Sequence, residues 1–144
     1  MEQVLTDAAA PYHLFRGWVQ NDQLICSGTN ALRDASVTTG NYLLTFDLEE
    51  EKLVEEIELA SFPFFVDGEI FYLEQGETDY THVDLRTNQK EKLAGLELDD
   101  LWPMARAGED FYFAKQKKEE SENWTFVFVR RNPFLRGEIE VIHP

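Results

Sequence analysis

Apolar and polar residues alternate in short runs along this chain, and turn-forming residues separate the runs. In residues 62–72 an aromatic run opened by Pro63 is followed by a turn at Gly68 and a second apolar run that ends in Phe71-Tyr72. Successive side chains of a β-strand point to opposite faces, and glycine supplies the positive φ that hairpin turns require. Proline is tolerated at the first residue of a strand. The segment therefore predicts a β-hairpin.

The same hairpin recurs 40 residues later. Residues 62–72 and 102–112 share five identities and one aromatic exchange over eleven positions. A fainter copy at residues 18–26 has an Asn-Asp turn and lies at an offset of 46, and residues 46–48 match residues 83–85 at an offset of 37. Units of about 40 to 50 residues are typical of repeat architectures.

The repeat predicts an all-β fold of about three four-stranded antiparallel blade-like sheets, in a single domain over residues 1–144. The repeat units are 14–60, 61–100 and 101–144. The predicted strands are 14–20, 23–27, 41–47 and 52–58, then 63–66, 69–74, 79–85 and 91–97, then 102–106, 110–116, 123–130 and 137–142. Residues 49–59 also fit a helix, but the alternation of Leu53, Ile57 and Leu59 and the aligned second copy favour a strand.

The hairpin at residues 68–72, together with residues 80–88, resembles the repeats of bacterial TolB-like and YWTD-like β-propellers. This resemblance covers roughly residues 18–129 and implies propeller blades without specifying an activity. The third unit departs from it, because residues 126–131 replace the Asp-Leu pair. Closed propellers have four to eight blades, so three blades imply self-association to a homodimer, a longer chain, or another packing of the sheets.

Charge narrows the range of partners. The chain has 28 acidic and 13 basic residues, a formal net charge of -15, and its 43% apolar content is enough for a folded core. Such a charge repels phosphates and anionic lipid headgroups, which argues against nucleic-acid and membrane partners. We expect a protein partner, for example a basic one such as a toxin or nucleic-acid-binding protein that the chain neutralises.

The lone Cys26 lies in an apolar run, so we expect a buried, unreactive thiol and no disulfide. Residues 1–10 lack the features of a signal peptide, and no apolar run is long enough to span a membrane. For the chain as given, a cytoplasmic location is favoured, or export if a signal peptide has been removed.

Candidate chemistry is sparse. Glu77, Asp79, His82 and Asp84 are the densest group of metal-ligand types, but they match no zinc or calcium spacing. Two acidic clusters, at residues 99–100 and 119–122, are expected to be solvated turns rather than a glycosidase pair. No nucleophile motif or phosphate loop is present, so we expect no catalytic residues, metal or cofactor.

Most aromatic residues are expected in the core, while those exposed together on one rim would indicate a binding face. The expected core aromatics are Phe62, Phe64, Phe65, Phe71, Tyr72, Trp102, Phe111, Tyr112, Trp124, Phe126 and Phe128. The sequence thus favours a non-enzymatic acidic interaction or scaffold module. The alternative is a carbohydrate or small-ligand sensor, or a segment of a larger propeller protein. The candidate ligand or partner face comprises Trp18, Trp102, Trp124, Glu119, Glu120 and Glu122.

Overall fold

The fold is all-β and consists of three four-stranded antiparallel sheets. The computed structural model describes residues 13–29, 40–94, 101–118 and 123–142. The strands there are β1 (His13–Gln20), β2 (Gln23–Thr29), β3 (Asn41–Asp47), β4 (Lys52–Leu59), β5 (Phe64–Val66), β6 (Glu69–Tyr72), β7 (Tyr80–Asp84), β8 (Gln89–Leu93), β9 (Leu101–Ala107), β10 (Phe111–Lys117), β11 (Trp124–Arg130) and β12 (Val141–Ile142). In each sheet the strands neighbour one another in chain order, β1 to β4, β5 to β8 and β9 to β12.

The hairpin turns have the backbone geometry that the sequence predicted. Asn21 and Asp22 both have positive φ, at 51° and 59°, and Asp67 and Gly68 have φ of 36° and 86°. Two successive residues with positive φ match the right-handed twist of the flanking strands. The turn at Gly108 also has positive φ, at 72°. The three copies of the hairpin are thus confirmed.

The chain divides into two compact units. The first contains the described residues up to Pro63 together with Tyr72–Thr78, and the second contains Phe64–Phe71 and the residues from Asp79 onward. In the first unit, one side of the first sheet forms a core. Cys26, Leu44 and Phe46 are buried there, and Leu24, Tyr42 and Leu53 pack against them.

Residues 49–59 form a turn and strand β4, so the strand interpretation is correct and the helical one is wrong. Leu53, Ile57 and Leu59 of β4 are at least partly buried, while Glu56 and Glu58 are exposed. A bulge shifts the register against β3 between Thr45 and Phe46. Because of this bulge, Leu53 lies on the Phe46 side of the sheet, whereas Ile57 and Leu59 lie on the Leu43 side.

The end of the third unit differs from the sequence prediction. A strand was expected over residues 137–142, but β12 has two residues and follows a short helix, α1 (Arg131–Leu135). Phe134 is 1% exposed and its ring packs edge-on against Phe71 and Tyr112, at centroid distances of 6.0 and 5.5 Å. Gly137 follows the helix with a φ of 82°. Burial of one aromatic ring and a terminating glycine account for this helix.

Stability of the first unit should depend on Leu44. This side chain is fully buried in the sheet core. We expect Leu44→Ala to lower the free energy of unfolding by about 2–5 kcal/mol, because the lost methyl groups leave a cavity. Val54→Ala, at a side chain that is 45% exposed, is the matched control and should change it by less than about 0.5 kcal/mol. Urea denaturation measures both, and equal losses would contradict this assignment of the core.

Candidate functional site

The two faces of the third sheet differ sharply in exposure. Along β9, Leu101 and Pro103 are buried while Trp102 and Met104 are exposed. Tyr112, Ala114 and Val129 are buried on the Pro103 side of the sheet. We call this side the inner face. The opposite side of the sheet carries the exposed side chains of Trp102 and Met104.

That opposite side, the aromatic face, is defined by strand register. Phe113 is paired with Phe128, Lys115 with both Trp102 and Phe126, and Lys117 with Trp124. Paired residues of antiparallel strands share a face. The aromatic face therefore comprises Trp102, Met104, Phe111, Phe113, Lys115, Lys117, Trp124, Phe126, Phe128, Arg130 and Ile142.

The rings of the aromatic face contact one another. Phe113 stacks on Phe126 with centroids 5.2 Å apart and ring planes 12° apart, and it also contacts Phe128 at 5.5 Å. Trp102 and Trp124 form a tilted pair with centroids 5.4 Å apart. Aromatic pairs at these distances have favourable offset geometry and fix each other's orientation. The face is thus a continuous and ordered surface.

Cations are interleaved with these rings. The Nζ atom of Lys115 lies 4.6 Å from the ring centroid of Trp124 and 6.0 Å from that of Trp102. The guanidinium carbon of Arg130 lies 5.5 Å from the ring of Phe111, and its Nε donates to Glu140 Oε1 at 2.9 Å. Cations within about 6 Å of a ring are attracted to its π face. With Lys117 exposed, the aromatic face is both apolar and cationic.

Much of this apolar surface is open. The exposed fractions are 60% for Phe126, 48% for Met104, 39% for Trp102 and 38% for Phe128. These exposures correct the prediction that Trp102, Phe126 and Phe128 belong to the core, and Phe62, at 59%, was also wrongly placed there. Strands β9 and β11 carry apolar side chains on both faces, as strands of a sheet that is covered on both sides do. In the described part of the chain, however, one face of this sheet is accessible to solvent.

The corresponding face of the second sheet is covered. In the hairpin repeat, Phe111 of the aromatic face corresponds to Phe71, and Phe71 is fully buried. The ring of Phe71 packs edge-on against Tyr112 of the inner face, with centroids 5.9 Å apart. Within the second unit, the inner face of the third sheet thus packs on the Phe71 side of the second sheet.

A buried carboxylate lies in this packing. Glu69, 1% exposed, accepts hydrogen bonds at Oε1 from His82 Nε2 (2.7 Å), Tyr112 Oη (2.9 Å) and Arg131 Nη2 (2.5 Å). Arg106 Nε lies 3.5 Å from Oε2. Burying a charge is unfavourable unless it is paired and hydrogen-bonded. Glu69 meets both conditions and so links strands β6, β7, β9 and β10 and helix α1.

The pKa values reflect this pairing. Burial alone would raise the pKa of Glu69, but the hydrogen bonds from His82, Arg131 and Tyr112 outweigh burial and lower it to about 2. Burial first, and then the Glu69 carboxylate, raise the pKa of Tyr112. The carboxylate therefore stays ionised and the phenol stays protonated near neutral pH, which is the arrangement a structural ion cluster requires.

A cleft of about 400 Å³ opens beside this cluster. It is lined by His82, Asp84, Gln89, Lys90, Glu91, Arg131 and Leu135. His82 Nδ1 lies 3.2 Å from Glu91 Oε1 while its Nε2 contacts Glu69, so the histidine is held between two carboxylates. Of the charged lining residues, His82 is paired with Glu91 and Arg131 is paired with Glu69. The lining carries both signs of charge, so the cleft favours no single ligand charge.

The structure brings together part of the candidate face proposed from the sequence. Trp102 and Trp124 are in contact, while Trp18 lies on β1 in the other unit, where its Nε1 donates to Gln20 Oε1 at 2.9 Å. Glu119, Glu120 and Glu122 lie outside the described residues, as do Asp99 and Asp100. In the part of the chain that the structure describes, Trp102 and Trp124 contact the Lys115 ammonium group and other aromatic rings.

The other candidate residues are distributed differently. Among the described residues, no group of three or more His, Cys, Asp or Glu side chains is arranged to hold a metal ion. His82 is instead a hydrogen-bond partner of Glu69. Cys26 is buried, as its apolar run predicted, and burial raises the pKa of its thiol to about 12. In the described part of the chain, no helix is both long and apolar enough to cross a membrane.

Sequence reasoning missed the Glu69 cluster. The repeat aligns Glu69 with Glu109, yet Glu69 is buried and Glu109 is exposed. The partners of Glu69 are 13 to 62 residues away along the chain, so no local spacing reveals them. In the sequence, the alternation of Trp124, Phe126 and Phe128 indicates that these residues share one face of a strand. The prediction that this face belongs to the core was wrong for Phe126 and Phe128.

Comparison with known proteins supports the fold alone. No family model matches the chain, and no curated protein matches it. Among solved structures, it is similar to the β-propeller domain of the Trilobed protease from Pyrococcus furiosus, described as having an open velcro topology. That match has a TM-score of 0.50 and 16% identity, and it covers 91% of this chain and 42% of that one.

A second match is the Pyrococcus horikoshii acylaminoacyl peptidase, with a TM-score of 0.55 and 18% identity over 97% of this chain and 25% of that one. The fold is a partial β-propeller of about three blades. The propeller resemblance seen in the repeat is confirmed at the level of fold. The chain spans less than half the length of either structure, and identities this low carry no activity across.

Glu69 should dominate the acid sensitivity of the second unit. Its pKa of about 2 is below the ordinary value of 4.5, so its stabilising contribution is complete above about pH 4.5 and is lost as pH falls towards 2. We expect Glu69→Gln to lower the free energy of unfolding by about 3 kcal/mol at pH 6, since it leaves the partly buried Arg106 and Arg131 without an anionic partner. The deficit should shrink steadily between pH 4.5 and 2. Urea titrations at several pH values measure it.

Tyr112→Phe is the control for this cluster. It removes one hydrogen bond at 2.9 Å but leaves the carboxylate and its arginines in place. We expect a loss of about 1–2 kcal/mol with the wild-type pH dependence retained. A Glu69→Gln deficit that stays constant from pH 6 to pH 2 would show that the carboxylate is not held in its ionised form by the fold.

Proposed function

We propose that this chain is a non-enzymatic protein-interaction module of β-propeller build, which binds a protein partner through the aromatic face of its third sheet. The observation that carries the proposal is the exposure of Trp102, Met104, Phe126 and Phe128 on one side of a sheet. The equivalent side of the second sheet is covered by a neighbouring sheet. A partner would supply the missing cover.

The size of the aromatic face suits such a contact. Three strands of seven residues and the short β12, spaced by about 4.8 Å with a rise of about 3.3 Å per residue, give the face a footprint of about 360 Å². Lys115, Lys117 and Arg130 occupy part of this footprint, and the rings and Met104 occupy most of the rest. Apolar patches of a few hundred Å² on a monomer are often functional.

The composition of the face also fits protein binding. Protein interfaces are enriched in Trp, Phe, Met and Arg, all of which occur here. The rings are held by mutual contacts before any partner arrives, so little side-chain entropy is lost on binding. Lys115 and Lys117 favour a partner with carboxylates around an apolar centre, while Arg130 is already paired with Glu140.

The non-enzymatic part of the proposal rests on groups that are already engaged. The Cys26 thiol is buried with a raised pKa, and the Glu69 carboxylate accepts three hydrogen bonds. Neither arrangement suits a nucleophile or a general base. Neutralisation of a basic partner by acidic loops remains a prediction, since residues 119–122 lie outside the described part of the chain.

A carbohydrate-binding function is the second candidate, because Trp102 and Trp124 form a ring pair at the surface. Such a pair can stack on the apolar side of a sugar ring. Lys115 Nζ, however, already lies over Trp124 at 4.6 Å and occupies part of that platform. We therefore prefer a protein partner. A change in tryptophan fluorescence at millimolar sugar would favour the carbohydrate alternative.

Photocrosslinking tests the protein-interaction proposal. A benzophenone amino acid at Phe126, 60% exposed on the aromatic face, should give discrete higher-mass adducts in cells that express the full chain. The same group at Val54, 45% exposed on the first sheet, gives the background.

Adducts at Phe126 should be lost when Phe128→Asp is added, because a buried unpaired carboxylate opposes docking. The absence of adducts above the Val54 background would overturn the proposal. Persistence of the same adducts with Phe128→Asp would overturn it as well.

A further inference from the structure

We propose that the segment of the partner that binds the aromatic face is an amphipathic α-helix with carboxylates near one end. This inference rests on the proposed function and names the shape and the chemistry of what binds there. It follows from the length of the strands in the third sheet, the position of the lysines and the hydrogen bonding of the sheet backbone. The residues of the third sheet all belong to the second unit.

The third sheet has longer strands than the second sheet, which it repeats. Strands β9, β10 and β11 each have seven residues, whereas β5, β6 and β7 have three, four and five. In the repeat, Tyr112 corresponds to Tyr72, where β6 ends, but β10 continues to Lys117. A neighbouring sheet that matches the shorter second sheet would leave this extension of β10 uncovered. The extension therefore favours an occupant other than another blade.

The positive charge of the aromatic face lies on this extension. Phe113, in contact with the rings of Phe126 and Phe128, is followed on the same side of β10 by Lys115 and Lys117. At a rise of about 3.3 Å per residue, the two lysines lie about 7 and 13 Å beyond Phe113 along the strand. A partner that matches the face needs apolar side chains and carboxylates separated by these distances. Its carboxylates therefore belong near one end of the bound segment.

The two lysines are placed to receive carboxylates. Lys115 is held over the rings of Trp102 and Trp124, and Lys117 is exposed. A carboxylate that reaches a cation already held in place forms a strong, charge-assisted hydrogen bond. The net charge of the chain is -15, but charges beyond about 8 Å are screened at physiological salt, so direct contacts with these lysines dominate.

The width of the aromatic face fits a single helix. Trp102 on β9 and Phe126 on β11 are both paired with Lys115 on β10, which lies between them. Two strand spacings separate β9 from β11 by about 10 Å, and an α-helix with its side chains is about 10–12 Å across. The seven residues of β10 span about 20 Å, which corresponds to about 13 residues of helix. A helix of ordinary length laid along β10 would cover the face.

Backbone hydrogen bonding favours a helix over a single extended strand. Strand β10 is paired along its whole length with β11 on one side and with β9 on the other, so the face of the sheet offers side chains to a partner. An extended segment laid on this face would bury its own N–H and C=O groups without partners, which is unfavourable. A helix satisfies these groups internally and presents one apolar side.

Selection from a displayed library of random 16-residue peptides, with the purified full chain as the target, tests this inference. We expect the selected peptides to carry apolar residues at helical spacing and at least two carboxylates near one end. Phe126→Asp, at a side chain that is 60% exposed, should abolish their capture, and thermal unfolding checks that this variant folds. Selected sequences without a helical period or an acidic end would overturn the inference. Capture that survives Phe126→Asp, or the selection of no peptide, would overturn it as well.

Charge exchange tests the lysine contacts with one selected peptide. The double variant Lys115→Gln, Lys117→Gln should bind it at least about tenfold more weakly in titration calorimetry. The matched control is Lys52→Gln, Lys92→Gln, which changes the net charge equally at exposed positions on the other two sheets and should keep the affinity within about twofold.

The reversed pair Lys115→Glu, Lys117→Glu should prefer a form of the same peptide in which lysines replace the carboxylates near its end. Equal losses in the two glutamine variants, or no change of preference on charge reversal, would contradict an acidic helix as the occupant.

Failure of this inference is separable from failure of the proposed function. If the Phe126 crosslink gives adducts in cells but the selected peptides lack the acidic helical pattern, the aromatic face binds a partner of another kind, such as a sheet or a second copy, and this inference is wrong. If acidic helical peptides bind but no adducts form in cells, the proposed function is overturned while the preference of the face for acidic helices stands. If neither occurs, both proposals are wrong.

Discussion

The packing of the second sheet on the inner face of the third is the interaction on which the rest of the second unit depends. Phe71, Tyr112 and Phe134 meet edge-on, and the Glu69 carboxylate, held by His82 of its own sheet, crosses the same contact to Tyr112 and Arg131. Aromatic burial provides most of the driving force, and the ionic cluster demands a particular alignment because an unpaired buried charge is costly. Together they fix which face of the third sheet points inward and which is left accessible.

That orientation has a functional consequence. A sheet with apolar side chains on both faces needs a cover on both, and in a closed propeller each blade covers its neighbour. Under the proposed function, the surface of a protein partner covers the aromatic face. Lys115 and Lys117 then place positive charge among the exposed rings and favour a partner with carboxylates.

Much of this architecture could be predicted from the sequence. The turns at Asn21-Asp22 and Gly68, the strand over residues 52–59 and the two repeated hairpins follow from local alternation and turn chemistry. The exposure of Phe126 could not be predicted, because alternation shows that a residue lies on a face and not whether another sheet covers it. The Glu69 cluster was also inaccessible, since its partners lie up to 62 residues away and its repeat equivalent, Glu109, is exposed. The local pattern of apolar and polar residues is enough to predict the strands. The exposure of the aromatic face and the partners of Glu69 depend instead on how the sheets pack on one another.

The most direct test of this account is the solvent accessibility of individual aromatic side chains, measured by hydroxyl-radical footprinting of the purified chain and of the chain in the cells that express it. Trp102, Phe126 and Phe128 should be more protected in cells than in the purified chain, while Phe62, which is 59% exposed and lies outside the aromatic face, should keep its reactivity. Equal labelling of the aromatic face in both settings, or protection of Phe62 alone, would contradict the claim that this face binds a protein partner.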